Sequence, residues 1–159
     1  MSIQIRNATE GDFSTIQLVA RLSWAEAYRE LIPVSVQKKY LQTAYSIDPL
    51  RNKLETTAFL VGEWEEKVVS FANLHCSKNE NDLSAIYIHP KFQSKGLGSA
   101  LLNNIKNKLQ NGDELVVYLE KGNHQAESFY RKHGFTYIEE FSESFFDHTF
   151  KTVKMSVII

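Results

Sequence analysis

At 159 residues, 43% hydrophobic and 23% charged, the chain has the length and composition of one globular domain with a real core. A net charge of −1 argues against a nucleic-acid partner, and the single cysteine, Cys76, closes no internal disulfide, as expected in a reducing cytoplasm. No apolar run approaches a membrane span, the N-terminus lacks a signal-peptide core, and no repeat or linker divides the chain, so a single domain over residues 1–159 without membrane contact is expected.

Ile3 to Arg6 alternates apolar and polar and predicts a short first strand. Asn7 to Asp12 is turn chemistry in which Thr9 or Asp12 caps the next helix. Phe13, Ile16, Val19, Ala20 and Trp24 recur at helical spacing and predict a helix to about Glu30. Pro33 stops it and opens a second helix over roughly Val34 to Ala44. Trp24 and Tyr28 lie one turn apart on one face, as core or as the wall of a site. Glu26 and Glu30 share another face, either solvated or receiving a cationic amine. Ser46 to Thr56, with Pro49 and mixed charge, reads as a loop or short helix. Ala58 to Trp64 and Val68 to His75 form a predicted hairpin around Glu65-Glu66, and Leu83 to His89 is the next strand.

Pro90 ends that strand, because proline cannot donate to a sheet ladder. Gln93-Ser94-Lys95-Gly96-Leu97-Gly98 then leads into a helix marked by Leu97, Leu101, Ile105 and Leu109. The first N–H groups of a helix have no internal partner and lie at the positive end of its dipole. Glycines there admit a phosphate to the backbone, and Lys95 adds charge; the plainer reading is an ordinary strand-to-helix turn. It is neither a P-loop, which needs Gly-Lys-Ser/Thr, nor a dinucleotide fingerprint, since only one Gly-x-Gly occurs. Asn111-Gly112-Asp113 terminates the helix, and Leu115 to Leu119 is apolar throughout, as a buried central strand is. Asn123 caps a helix carrying Ala126, Phe129, Tyr130 and His133, which Gly134 ends. Phe135 to Phe141 and Phe146 to Val157 are two closing strands. The order predicts an α/β (α+β) fold: a twisted mixed sheet of about seven strands with helices on both faces.

Two blocks carry a resemblance. Tyr87-Ile88-His89-Pro90-x-x-Gln93-x-x-Gly96-x-Gly98 resembles the acetyl-coenzyme A signature of the GNAT N-acetyltransferases. Asn123-x-x-Ala126-x-x-Phe129-Tyr130-x-x-x-Gly134-Phe135 resembles that superfamily's second block, in the same order and at the usual separation. Ser70 stands where many members carry glycine. The resemblance implies a parting of the fourth and fifth strands, here Leu83–His89 and Leu115–Glu120, whose unpaired backbone groups receive pantetheine amides. It implies coenzyme contacts from Tyr87, Ile88, Gln93, Ser94, Lys95, Gly96, Leu97, Gly98, Ser99, Asn123, Ser128 and Tyr130. The Ile88 N–H is the implied donor to the oxyanion of a tetrahedral intermediate, and the amides of Gln93 through Gly98 the implied hold on the pyrophosphate. Tyr130 is the implied general acid to the departing thiolate, with packing as its plainer reading.

The attacking amine arrives as ammonium, so a base is required. Counting back from Gln93, Asp82 stands where some members place a catalytic glutamate, one methylene longer; Glu63 and His75 are the alternatives. An acyl-cysteine route through Cys76 has only the thiol itself in its favour, so direct transfer is expected. The histidines at 75, 89, 124, 133 and 148 show no metal-ligand spacing, so no metal is expected; His148 is either exposed or beside the acceptor. The Trp24–Tyr28 helix and Leu31-Ile32-Pro33 resemble the entry segment of small-amine and polyamine members, and an acidic pocket of Glu26, Glu30 and Asp147 would favour a polyamine or an aminoglycoside. A small-molecule amine acceptor is therefore expected. A protein N-terminus or lysine, or a non-catalytic acyl-coenzyme A sensor, is the alternative, and the molecule is expected as monomer or homodimer.

Overall fold

Alternating and continuous apolar runs build the strands β1 (Ile3–Asn7), β2 (Ala58–Trp64), β3 (Lys67–Cys76), β4 (Asn81–Ile88), β5 (Glu114–Glu120), β6 (Thr136–Phe145) and β7 (His148–Ile158). The helices are α1 (Phe13–Ala27), α2 (Val34–Tyr45), α3 (Ile47–Thr56), α4 (Leu97–Asn107) and α5 (His124–Lys132). This computed structural model describes residues 2–159. The strands form one sheet in the order β1-β2-β3-β4-β5-β7-β6, antiparallel except at β4–β5. The expected twisted mixed sheet of seven strands, with helices on both faces, is the architecture found.

On one face, α4 sets Leu101, Leu102 and Ile105 against Leu60, Ala72, Leu115 and Val117, and α5 adds Tyr130. Each fully buried leucine or isoleucine contributes roughly 1.5–3 kcal/mol relative to exposure. On the other face, Phe13, Ile16, Val19 and Ala20 of α1 pack with Tyr45, Leu50, Phe59, Val61 and Phe71. Trp24, Tyr28, Ile32, Val36 and Phe150 make a third group beside it.

The departures from the sequence reading have local causes. Helix α1 stops at Ala27 rather than Glu30 because Tyr28 leaves the helical region (φ −114°, ψ 18°). The buried Gln37 side chain donates to the Tyr28 and Ile32 carbonyls at 3.2 and 2.9 Å, the Tyr28 carbonyl also accepting from the Leu31 and Ile32 amides. Ser46 to Thr56 resolves as helix α3, with Pro49 in its first turn, where a missing N–H breaks no bond, and Leu50 fully buried. Asp12 accepts from the Thr9 N–H at 2.9 Å and pairs with Arg6 at 2.8 Å. β6 runs on to Phe145, an edge strand exposed along nearly its whole length.

One feature of the sheet positions everything that follows. β4 and β5 pair only through Asn81–Leu115 and Asp82–Val116 and then part. β3 grips the other side of β4 through Ile88, with one irregularity at Asn73/Leu74 that leaves Ser84 unpaired as a bulge; its Oγ donates back to Asn73.

Candidate active site

A cleft of about 600 Å³ opens where β4 and β5 part. Its walls are the length of β4 from Leu83 to Ile88, the turn at Gln93–Ser99, the first residues of α5, Tyr130, and Ser23 and Tyr28 from the α1 end. Antiparallel pairing alternates which residue's N–H faces the neighbouring strand. His89 N–H donates to Val69 at 2.8 Å, on the β3 side, so the Ile88 N–H faces the parted side. The Ile88 carbonyl accepts from Ser23 Oγ at 3.0 Å, which ties α1 to the end of β4.

The turn into α4 is shaped for an anion. Ser94 and Gly96 both adopt left-handed φ (63° and 93°), which folds successive amides toward one side. Ala100 N–H to Gly96 carbonyl is the first α4 bond, and among the described residues no side chain caps this N-terminus. Gly98 is fixed by packing: a methyl there would stand 3.0 Å from Phe129 Cε1, against α5. Gln93, Ser94, Gly96, Gly98 and Ser99 line the cleft, and Gln125 reaches across it to donate to Gln93 at 3.1 Å. The Lys95 and Leu97 side chains do not join them. Lys95 lies over the Trp64 ring, 4.9 Å from its centre, and Leu97 is buried, so only their backbone amides are left to face the turn.

Tyr130 is 7% exposed and borders the cleft; among the described residues its hydroxyl has no hydrogen-bond partner. Burial holds its pKa well above the ordinary tyrosine value, so it stays protonated at neutral pH. Ser128 and Asn123 also line the cleft. Asn123 divides its work: Oδ1 accepts from Ala126 N–H at 3.2 Å as the α5 cap, and its side chain neighbours the Tyr28 hydroxyl together with Tyr87.

Asp82 begins β4, opposite His75 of β3. Leu83 faces the α4–α5 core, so alternation turns Asp82 to the α1–α2 face. Its Oδ1 is buried without a partner, and burial, with Glu80 adding repulsion, pushes its pKa up to about 6 against an opposing pull from His75. Its charge reaches Tyr40, Tyr118 and Tyr130. The rival bases are placed elsewhere: Glu63 is paired with Arg6 at 2.8 Å, and His75 is exposed.

On the α1–α2 face, Trp24 stacks on Tyr40 at 4.6 Å and meets Tyr28 edge-on at 4.8 Å. Glu26, Glu30 and Asp147, the carboxylates expected to form an acidic pocket, are all exposed and do not line the cleft. Asp82, Glu120 and Glu143 do not line the cleft either, but they stand near the aromatic group. Asp82 and Glu143 both act on Tyr40, and Glu120 on Tyr28. Glu143 is the cross-strand neighbour of Phe150, which packs on Trp24 and Tyr28. Burial raises the Glu120 pKa, against the opposing effect of the Lys151 N–H, which donates to its carboxylate at 2.8 Å, and a smaller one from His148. The His148 Nε2 and Trp24 Nε1 are also buried without partners, so His148 belongs to this face rather than to solvent. Sequence reasoning missed Ser23, Tyr40, Glu120 and Gln125. A serine on the apolar stripe of α1 was the one available signal; the others depend on strand pairing and helix placement. Among the described residues no group of three or more His, Cys, Asp and Glu gathers to hold a metal, and no helix is long and apolar enough to cross a membrane.

Residues 26–159 match the family model described as an acetyltransferase (GNAT) domain. A spermidine N(1)-acetyltransferase of Thermoplasma acidophilum is 27% identical over 143 residues, covering 85% of this chain and 89% of that protein. The crystal structure of the PaiA N-acetyltransferase of the same organism, in complex with coenzyme A, superposes with a TM-score of 0.84 at 24% identity over all of both chains. A GCN5-related N-acetyltransferase of Rhodopseudomonas palustris superposes with a TM-score of 0.82 at 14% identity, over 100% of this chain and 97% of that one.

Proposed function

The chain belongs to the GNAT acetyltransferases and uses acetyl-coenzyme A as cosubstrate; from that premise we propose that it places the acetyl group directly on a primary amine of a small polyamine. The cosubstrate supplies an activated acetyl group and leaves as a thiol. Its amide-bearing arm matches the unpaired backbone of parted β4, and its pyrophosphate matches the uncapped N-terminus of α4.

The protein's own groups divide the proton and charge work. Ile88 N–H donates to the acyl oxygen as negative charge gathers there. Asp82, with a pKa pushed up to about 6, is ionised at pH 7 and basic enough to accept the proton of the attacking ammonium, directly or through a water. Tyr130, held in its protonated form by burial, gives its proton to the departing sulfur. Ser23 fixes the end of β4 and with it the aim of the Ile88 N–H.

The observation that carries the choice of acceptor is the set of aromatic faces Trp24, Tyr28 and Tyr40 with Asp82, Glu120 and Glu143 around them. Aromatic faces and carboxylates attract ammonium groups, and more strongly as water is excluded. A chain with several ammonium groups satisfies more than one carboxylate at once. The spermidine-acetylating relative supports the same reading.

The test is thiol release from acetyl-coenzyme A against polyamines, aminoglycosides, amino acids and N-terminal peptides. Release with polyamines alone is the expected result. Release with peptides alone overturns the acceptor assignment. Thermal stabilisation by acetyl-coenzyme A without release from any amine identifies a sensor instead.

A further inference from the structure

One pair of side chains beside the coenzyme turn has no part in the chemistry above. Ser99 stands in the first turn of α4, lines the cleft, and its Oγ lies 3.1 Å from His133 Nε2 at the end of α5. The imidazole packs against the Phe129 ring, 4.7 Å away, and the His133 backbone is held by Lys106 Nζ, which donates to its carbonyl at 3.2 Å. The charges acting on His133 are cationic, Lys106 from α4 and Lys132 from α5, and Lys132 also lines the cleft. Burial and these two lysines lower its pKa, so the imidazole is neutral at pH 7 in the free protein.

A serine hydroxyl has one proton to donate. If His133 Nε2 is unprotonated, Ser99 donates to it and turns lone pairs toward the anion turn. If Nε2 carries hydrogen, the bond reverses: Nε2–H donates to Oγ, and the hydroxyl proton is free to point at a phosphate. We propose that His133 is a positioning residue of the coenzyme site, holding the Ser99 hydroxyl as a donor toward the coenzyme's phosphates, and that coenzyme binding draws a proton onto His133. The phosphates place negative charge where Lys106 and Lys132 had disfavoured the imidazolium, so the bound state takes up a proton that the free protein lacks. No covalent bond changes; the proton comes from solvent. This proposal rests on the coenzyme reading of the cleft.

The experiment is calorimetric titration of coenzyme A into the whole protein from pH 5.5 to 8, in buffers of different ionisation enthalpy. Wild type is compared with His133→Gln, whose amide still donates to Ser99 but does not titrate, and with His133→Leu, which neither donates nor titrates. Comparing variants with the same ligand cancels the ligand's own phosphate titration. Wild type is expected to take up a fraction of a proton near pH 7 and to lose affinity with rising pH roughly tenfold more than His133→Gln across that range. His133→Leu is expected to bind more weakly at every pH. Dephospho-coenzyme A separates the two phosphate sources: linkage retained assigns the pyrophosphate, and linkage lost assigns the 3′-phosphate. Equal proton uptake and equal pH profiles in wild type and His133→Gln overturn the proposal. Binding that is normal in His133→Leu overturns it as well. No binding by wild type at any pH overturns the coenzyme reading itself, a result distinct from both.

Discussion

At the scale of single residues, the two proposed proton-handling groups make opposite demands on their surroundings. Tyr130 must keep its proton until the sulfur departs, and burial ensures that. Tyr130→Phe removes only the hydroxyl, so turnover is expected to fall about a hundredfold while the Michaelis constant for acetyl-coenzyme A stays within about twofold. Steady-state kinetics decides it, and unchanged turnover removes Tyr130 from the mechanism. Asp82 must lose its proton before the amine attacks, and its pKa of about 6 sets where that happens. Turnover is expected to rise with pH through about 6, and Asp82→Asn to lose that limb together with most of the rate. The same burial acts on stability. In the unfolded chain Asp82 ionises near its ordinary value of 3.8, two units earlier than in the fold, so it destabilises the native state increasingly between about pH 4 and 6 and fully above. Asp82→Asn should therefore stabilise the protein at pH 7, by up to about 2 kcal/mol, and leave stability at pH 3 unchanged. Denaturant melts at the two pH values test the sign. A short count back from Gln93 places Asp82 near the start of β4, so its position, as distinct from its proposed role, was legible. Glu120 and Glu143 were not, because their approach to Tyr28 and Tyr40 depends on which strands neighbour one another across the sheet.

At the scale of elements, local pattern and long-range pairing separate clearly. The α4 stripe of Leu97, Leu101 and Ile105 is readable at four-residue spacing and is buried as read. Ser70, read as a departure from an expected glycine, acquires its reason only from the β2–β3 register, which sets it opposite Gly62. Ser70 Oγ donates to the Gly62 carbonyl at 3.1 Å, and a methyl built on Gly62 would collide with that same oxygen. Gly62→Ala is expected to cost roughly 1–3 kcal/mol through overpacking, and Gly62→Ala combined with Ser70→Gly to recover most of it. Additive losses in the double variant would show that the two sites do not share one space. Neither α3 nor the early end of α1 was settled by propensity. The first needed Leu50 to find the core, and at the second Gln37 donates to the Tyr28 and Ile32 carbonyls.

At the scale of the molecule, β4 and β5 meet at two residue pairs, so the sheet is two sub-sheets, β1–β4 and β5–β7–β6, joined there and through the shared core of α4 and α5 side chains. A ligand bound in the parting joins them. Acetyl-coenzyme A at about a hundred times its dissociation constant is expected to add about 2.7 kcal/mol of stability, a rise in Tm of roughly 5–10 °C. Amide exchange should slow along 84–88 and 93–98 and stay unchanged at the β1–β2 ladder. Slowing spread evenly over the sheet would mean that the ligand acts on global stability alone.

The free edge of β6 has a separate consequence, for behaviour in concentrated solution. β6 pairs with β7 on one side only, so the outer edge of this ten-residue strand invites another copy to add on. Glu139, Glu140 and Glu143 lie along that edge. Antiparallel self-addition centred on Phe141 sets Glu139 against Glu143, centring on Glu140 sets that residue against itself, and parallel in-register stacking repeats every carboxylate. The sequence that leaves this edge open also charges it, so a second copy adding there in these registers meets like charge, Glu140 being partly offset by its pairing with Lys121 at 3.2 Å.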